Sequence, residues 1–229
     1  MIDELMRRLR ACGNRRELIN HRFFRETVSD PGVGRDGAAI VLGQWWRPLH
    51  YFPVFLSRSI AILDDLRHQS FLADVLNEEL GEGDPQLAHE RIFIETMSDL
   101  GFSVEQLTQA NALPATTALV ESYTQGAESR LTALGCVFAT EVADLAMVGG
   151  IGKLVRRVTG AAKLPWVDIH IQQEPNHVDK VHRTLGGDFT PDELEAVVSA
   201  ADEHWAAWCA FFDALDQTVK RSAPALEPI

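Results

Sequence analysis

Late in the chain a histidine, a glutamate and a second histidine stand four and three residues apart, in His170-Ile-Gln-Gln-Glu174-Pro-Asn-His177. On a helix such steps return to nearly the same azimuth, so the three side chains share one face. Imidazole and carboxylate are the donors used for ferrous iron and manganese, and the absence of cysteine points away from zinc-thiolate or iron-sulfur chemistry. The stretch reads as half of a metal site. In helical bundles such sites are assembled from facing helices, and a carboxylate-bridged iron pair takes about six side chains, so three more must come from elsewhere.

Three places qualify. Glu79 falls beside the apolar stripe Leu72, Val75 and Leu76, whereas Glu78 and Glu82 face solvent in the same projection. His89 stands among Leu87, Ile92 and Phe93, and Glu141 lies three residues after Phe138 and four before Leu145. A carboxylate on an apolar face is costly to bury alone, so Glu141 wants a partner. Taken singly, each residue has an ordinary reading as a cap, a surface charge or a core histidine. Their joint occurrence with the late triplet turns the weighing toward a site. Asp144 and Asp168 could orient the ligands from behind or be surface acids.

The elements that must position these residues are helical throughout. Residues 2–12 have amphipathic spacing, Asn20-His21-Arg22-Phe23-Phe24 opens a second segment, and the Gly- and Asp-rich 29–37 is a loop. A long apolar pattern runs from Ala38 to Arg67, where Pro48 and Pro53 should bend or interrupt the helix. A helix from His68 to Leu80 stops at Gly81-Glu82-Gly83, and Asp84-Pro85 reads as the cap and first residue of a helix to Leu100. Further helices are expected over 103–111 and from Pro114 through Gly135 to Val148, with a break at Gly149-Gly150-Ile151-Gly152. Pro165-Trp166 opens the helix of the triplet, Gly186-Gly187 closes it, and Thr190-Pro191-Asp192-Glu193 starts the last one. No stretch shows sustained period-two alternation. The expectation is an all-α bundle of seven or eight helices, one domain over 1–229 with a frayed tail at about 222–229.

Composition narrows the partners. A net charge of −12 argues against nucleic acid or an anionic membrane, since phosphate binding needs clustered Lys and Arg. The one basic run, Arg7-Arg8-Leu9-Arg10 with Arg15-Arg16, is the solvated face of a first helix. Cys12, Cys136 and Cys209 are scattered and odd in number, which suits free thiols in a reducing compartment. With no apolar leader after Met1 and no run approaching about 20 apolar residues, the expected location is the cytoplasm.

Glu79, His89, Glu141, His170, Glu174 and His177, in that order, resemble the ligand pattern of the heme-oxygenase-like diiron oxidases and oxygenases. The resemblance spans roughly residues 38–215, and its most specific part is His170-x3-Glu174-x2-His177. It implies a heme-oxygenase-like bundle, two irons (manganese being open) and O2 as co-substrate. By carry-over, Glu79, His170 and Glu174 would serve one iron and His89 and His177 the other, with Glu141 shared. Two departures stand out: Glu174 holds a position that is often Asp, and Glu82, seven residues before His89, is a reserve for Glu79. Pro175 would make the ligand helix deformable.

The resemblance implies N-oxygenation, desaturation, fragmentation or decarboxylation of free amino acids or fatty acids, and the leading expectation is a small amine or amino acid in secondary metabolism. An external reductant and a homodimer are both compatible with that role. Trp45, Tyr51, Phe52, Phe55 and Phe138 are candidates for an apolar substrate pocket, and Arg47, Lys153 or Arg183 for a substrate carboxylate. One branch of the family forms aminobenzoate from a tyrosine near the metals, for which only Tyr51 and Tyr123 are available. Two other readings stay open. One is a metal-free thiaminase-like or quinone-cofactor-synthase-like enzyme of the same fold, with Cys136 as the nucleophile a thiaminase-like enzyme needs. The other is a non-catalytic helical interaction module.

Overall fold

The structure, a computed structural model, describes residues 2–172 and 189–222. Glu174, Pro175, His177, Arg183 and Gly186-Gly187, together with the tail beyond Ser222, lie outside the described residues. No β-strand occurs among those described, and the class is all α. In order the helices are α1 (Ile2–Ala11), α2 (Gly13–Ile19), α3 (Arg22–Arg25), α4 (Arg35–Ile62), α5 (Leu66–Glu79) and α6 (His89–Asp99). They continue as α7 (Val104–Thr108), α8 (Pro114–Gly126), α9 (Arg130–Thr159), α10 (165–172) and α11 (Pro191–Ser222).

Three long helices, α4, α9 and α11, pack on one another and make the frame. The shorter α5, α7 and α8 lie against α4, and α2 against α9 and α11. Two of the long helices, α9 and α11, begin or end on local chemistry. Ser129 Oγ accepts from Thr132 N to start α9, and Gly160, at φ 75°, closes it. At the start of α11, Thr190 Oγ1 accepts from Glu193 N while Glu193 Oε2 accepts from Thr190 N, the reciprocal capping expected from the Thr-Pro-Asp-Glu run.

Several boundaries depart from the sequence reading. α4 runs unbroken through Pro48 and Pro53. The expected helix over 114–148 is two helices, because the Ser129 cap starts a new one and Thr132 Oγ1 donates back to Gly126 O at 2.8 Å. The glycines at 149–152 do not break α9. Gly150 and Gly152 are there for space, since a Cβ would sit 2.2 Å from the Phe24 ring at the first and 2.9 Å from Val167 Cγ2 at the second, while Gly149 faces open space. The helix expected from Asp84 begins only at His89, because Asp84 instead folds its carboxylate onto Gln86 N in a tight turn.

α9 also corrects the expectation that no run is long and apolar enough to span a bilayer. By length and composition this one is, yet 67% of its most apolar window is buried inside the protein, as befits a central core helix. Its own Phe138 and, around it, Trp166, Trp205, Tyr123 and Phe93 are wholly buried. Trp45 meets Trp166 edge-on at 5.9 Å and Trp208 at 5.4 Å, giving an aromatic floor where α4, α10 and α11 come together.

Candidate metal centre

Above that floor lies a cavity of about 40 Å3, walled by Trp45, Pro48, Leu49 and Phe52 of α4, Tyr123 of α8 and Trp208 of α11. Its polar walls are Glu79, His89, Thr140, Glu141, Asp144 and His170. The space is on the scale of one or two water-sized guests. Glu79, His89, Glu141 and His170 are 8%, 1%, 4% and 8% exposed, so ionisable groups here have been withdrawn from water.

The chain brings these side chains together by identifiable means. Glu79 is the last residue of α5 and His89 the first of α6. Between them Gly81, Glu82 and Gly83 all take positive φ, at 86°, 54° and 93°, and reverse the chain. The turn folds back onto Gly81 itself, where a Cβ would lie 2.1 Å from Asp84 O and 2.6 Å from Ala88 N. This reversal sets Glu79 Oε1 3.1 Å from His89 Nδ1. Glu141 and Asp144, three residues apart on α9, share the face that looks into the cavity. His170 comes from α10, its ring centroid 4.9 Å from that of His89 and 5.2 Å from Trp166.

Hydrogen bonding fixes the orientation of His170. Its Nδ1 lies 2.7 Å from the Trp166 carbonyl, which can only accept, so Nδ1 donates there and Nε2 is the nitrogen left to face the cavity. Nε2 points toward Asp144, 3.9 Å from Oδ2. That arrangement, one nitrogen donating to a backbone carbonyl and the other free to coordinate, is how metal-binding histidines are held. Asp144 is pushed up from 3.8 to about 6, first by burial and then by the charges of Glu141 and Glu79, with His170 and His89 pulling the other way.

Three carboxylates and two imidazoles thus face one small space, and no Lys or Arg side chain is among the described residues that line it. Such a set repels itself when ionised and is relieved by a cation, and its donors are those of iron or manganese. The residues present fit that group. Among the described residues no three His, Cys, Asp or Glu side chains are drawn together closely enough to grip one ion. Glu174 and His177, the rest of the expected ligand set, lie outside the described residues.

Of the other sequence candidates, Glu82 is exposed in the turn, and Asp168 is half-exposed beside Arg156 rather than in the cavity. Trp45 and Phe52 line the cavity. Tyr51, Phe55 and Phe138 do not: the Tyr51 hydroxyl pairs with Thr124 Oγ1 at 2.7 Å, Phe55 stacks behind Phe52, and Phe138 packs on Trp205. Arg47 donates to Ala110 O, and Lys153 is exposed on α9. Cys136 lines a different cavity, its thiol pushed up to about 12 by burial and by Glu203. Thr140 and Trp208 are cavity residues with no signal in the sequence to select them, since each reads as ordinary helix interior.

The fold and the cavity define a class, heme-oxygenase-like helical bundles with a carboxylate-and-imidazole pocket among their core helices. Residues 40–209 match the model of the iron-containing redox enzyme family, and the chain belongs to that family. The fold is similar to that of a CADD-like protein of unknown function from Nostoc punctiforme PCC 73102 (TM-score 0.76, 14% identity, 95% of this chain and 98% of that one). A TenA homolog from Pseudomonas syringae pv. tomato DC3000 is similar at TM-score 0.68 and 14% identity, over 94% of this chain and 92% of that one. A domain of unknown function with a heme oxygenase-like fold from Shewanella denitrificans OS217 gives 0.68 and 14%, over 99% and 94%. No curated protein matches the sequence.

Proposed function

We propose that the protein is a non-heme diiron oxidase or oxygenase that uses O2 to oxidise a small amine or amino acid. The observation that carries the reading is the cavity that Glu79, His89, Glu141, Asp144 and His170 face together, with no Lys or Arg lining it among the described residues. Glu79, His89, Glu141 and His170, joined by Glu174 and His177, would hold the irons. Ferrous ions held there supply electrons to O2 and the oxidising power that breaks a substrate bond.

The chain's own residues do the rest. The Trp166 carbonyl keeps His170 in the orientation that offers Nε2. Asp144 stands behind that nitrogen as a carboxylate able to hold a proton or release it near neutral pH. Trp45, Phe52 and Trp208 keep bulk water off the reacting atoms, and their apolar surfaces suit the aliphatic or aromatic part of a substrate.

The test is O2 uptake by iron-loaded protein against a panel of free amino acids and amines, with an external reductant present and absent. Uptake that depends on one member of the panel, and is lost in Glu141→Ala, is the expected result. Iron-loaded protein that consumes O2 at the same rate whatever is added would sink the reading. A second reading is favoured by one observation, that Tyr123 itself lines the cavity. There the chain's own tyrosine would be the substrate, as in the aminobenzoate-forming branch of the family. Uptake without any added substrate, with an intact-mass change mapped to Tyr123, selects it.

A further inference from the structure

Tyr123 also belongs to a set of contacts that leads out of the metal cavity. A second cavity, of about 240 Å3, lies between α8, α9 and α11. Its rim carries the exposed Gln125 and Glu203, and its walls include the half-buried Ser122 and the buried His204. Ser122 Oγ is 3.0 Å from His204 Nδ1, His204 Nε2 is 3.5 Å from Thr140 Oγ1, and Thr140 Oγ1 is 2.9 Å from the Tyr123 hydroxyl. Ser122 and His204 line the second cavity, Thr140 and Tyr123 the first. Four side chains therefore join two otherwise separate spaces.

We propose that Ser122, His204, Thr140 and Tyr123 form a proton path between the solvent-facing cavity and the carboxylate-and-imidazole cavity. The proposal rests on reading the latter as the place where O2 is reduced, since reduction of O2 consumes protons and the buried ionisable groups that line that space must be resupplied with them from outside. All four side chains both donate and accept hydrogen bonds, which a relay requires of every member. A proton arriving at Ser122 Oγ releases that hydroxyl's own proton to His204 Nδ1. The Nε2 proton passes to Thr140 Oγ1, the Thr140 proton to the Tyr123 oxygen, and the phenol proton into the cavity. One proton has moved, every oxygen ends with the hydrogens it began with, and the imidazole ends as the other tautomer. Rotation of the hydroxyls and a flip of the ring reset the path.

Two features suit transfer better than a static network. Ser122 Oγ lies 2.8 Å from Leu119 O and Thr140 Oγ1 3.0 Å from Cys136 O, so each hydroxyl has a backbone acceptor to swing to between transfers. The charge states are also right. Burial holds His204 down at about 3, so near neutral pH one ring nitrogen donates and the other accepts, and burial raises Tyr123 so far that its phenol stays protonated. A purely structural network would tie Tyr123 to Thr140 and leave its proton to exchange only when the bundle opens.

The experiment reads hydrogen exchange at the Tyr123 hydroxyl in the full-length, metal-free protein, from the deuterium isotope shift on 13Cζ-labelled tyrosine in an equal mixture of H2O and D2O. Thr140→Val and His204→Gln should each slow the exchange by at least about tenfold, because it then waits for local opening. Thr140→Ser should restore it, and Ser122→Ala, at a half-buried position that folding tolerates, should slow it too. Exchange in Thr140→Val, His204→Gln and Ser122→Ala as fast as in the parent would overturn the path. Because no iron is present, that outcome would leave the metal reading untouched, and iron binding is counted separately.

Discussion

At the scale of single residues, Asp144 and His204 show how burial, alone at His204 and first among several causes at Asp144, sets chemical character, and in opposite senses. Asp144 is raised from 3.8 to about 6, so between about pH 4 and 6 the folded protein binds a proton that the unfolded chain has released. Stability of the metal-free protein must fall as pH rises through that window, and the cost is complete above about pH 6. Asp144→Asn should therefore stabilise metal-free protein by up to about 3 kcal/mol at pH 7 and by nothing near pH 4, in urea unfolding. An Asn variant no more stable than the parent at pH 7 would refute this. His204, lowered to about 3, has the reverse sign: its contribution is whole above about pH 6.5 and is lost as acid forces the ring to charge on unfolding. In His204→Gln the loss of stability between pH 6.5 and 3 should be shallower than in the parent.

Among elements, the nine residues between α5 and α6 decide the site more than either helix does. Gly81 takes a left-handed conformation and leaves no room for a Cβ, so Gly81→Ala must strain its backbone and push Asp84 and Ala88 outward. We expect a loss of roughly 2 kcal/mol in stability. More tellingly, metal affinity should fall with it, since the turn is what holds Glu79 beside His89. A Gly81→Ala protein that unfolds earlier yet binds metal as the parent does would separate the turn from the site. This element also shows where sequence reasoning stops. Gly81-Glu82-Gly83 announces a helix stop, and it is one. Asp84-Pro85 can cap a helix or make a turn, and only the packing of the returning chain against Gly81 chooses the turn and delays α6 to His89. The Ser129 start of α9 was hidden in the same way, inside a stretch whose composition is helical on both sides.

Across the whole molecule, the all-α class and the order of the helices follow from helical spacing, caps and breakers in the sequence, because each is a short-range effect. Glu79, His89 and Glu141 were legible because ionisable side chains on apolar stripes are out of place unless something holds them, and His170 because of its helical spacing to Glu174 and His177. Tyr123, Thr140 and Trp208 were not, because each is unremarkable on its own helix and gains meaning only where α8, α9 and α11 converge. If the cavity is where metal binds, metal should bind the folded state and not the unfolded one. Mn(II) at about 100 times its dissociation constant should then add roughly 2.7 kcal/mol to stability. Glu141→Ala should lose that gain, and an equal gain in the variant would place the metal elsewhere.

The claim on which the rest depends is that these buried acids and imidazoles hold a pair of irons. Protein equilibrated with excess Fe(II) without oxygen, separated from unbound metal and analysed for iron, gives the direct answer. Two irons per chain, reduced to one or fewer in His170→Ala and in Glu141→Ala, is the result predicted. A parent protein that retains no iron, or variants that retain as much as the parent, would contradict it.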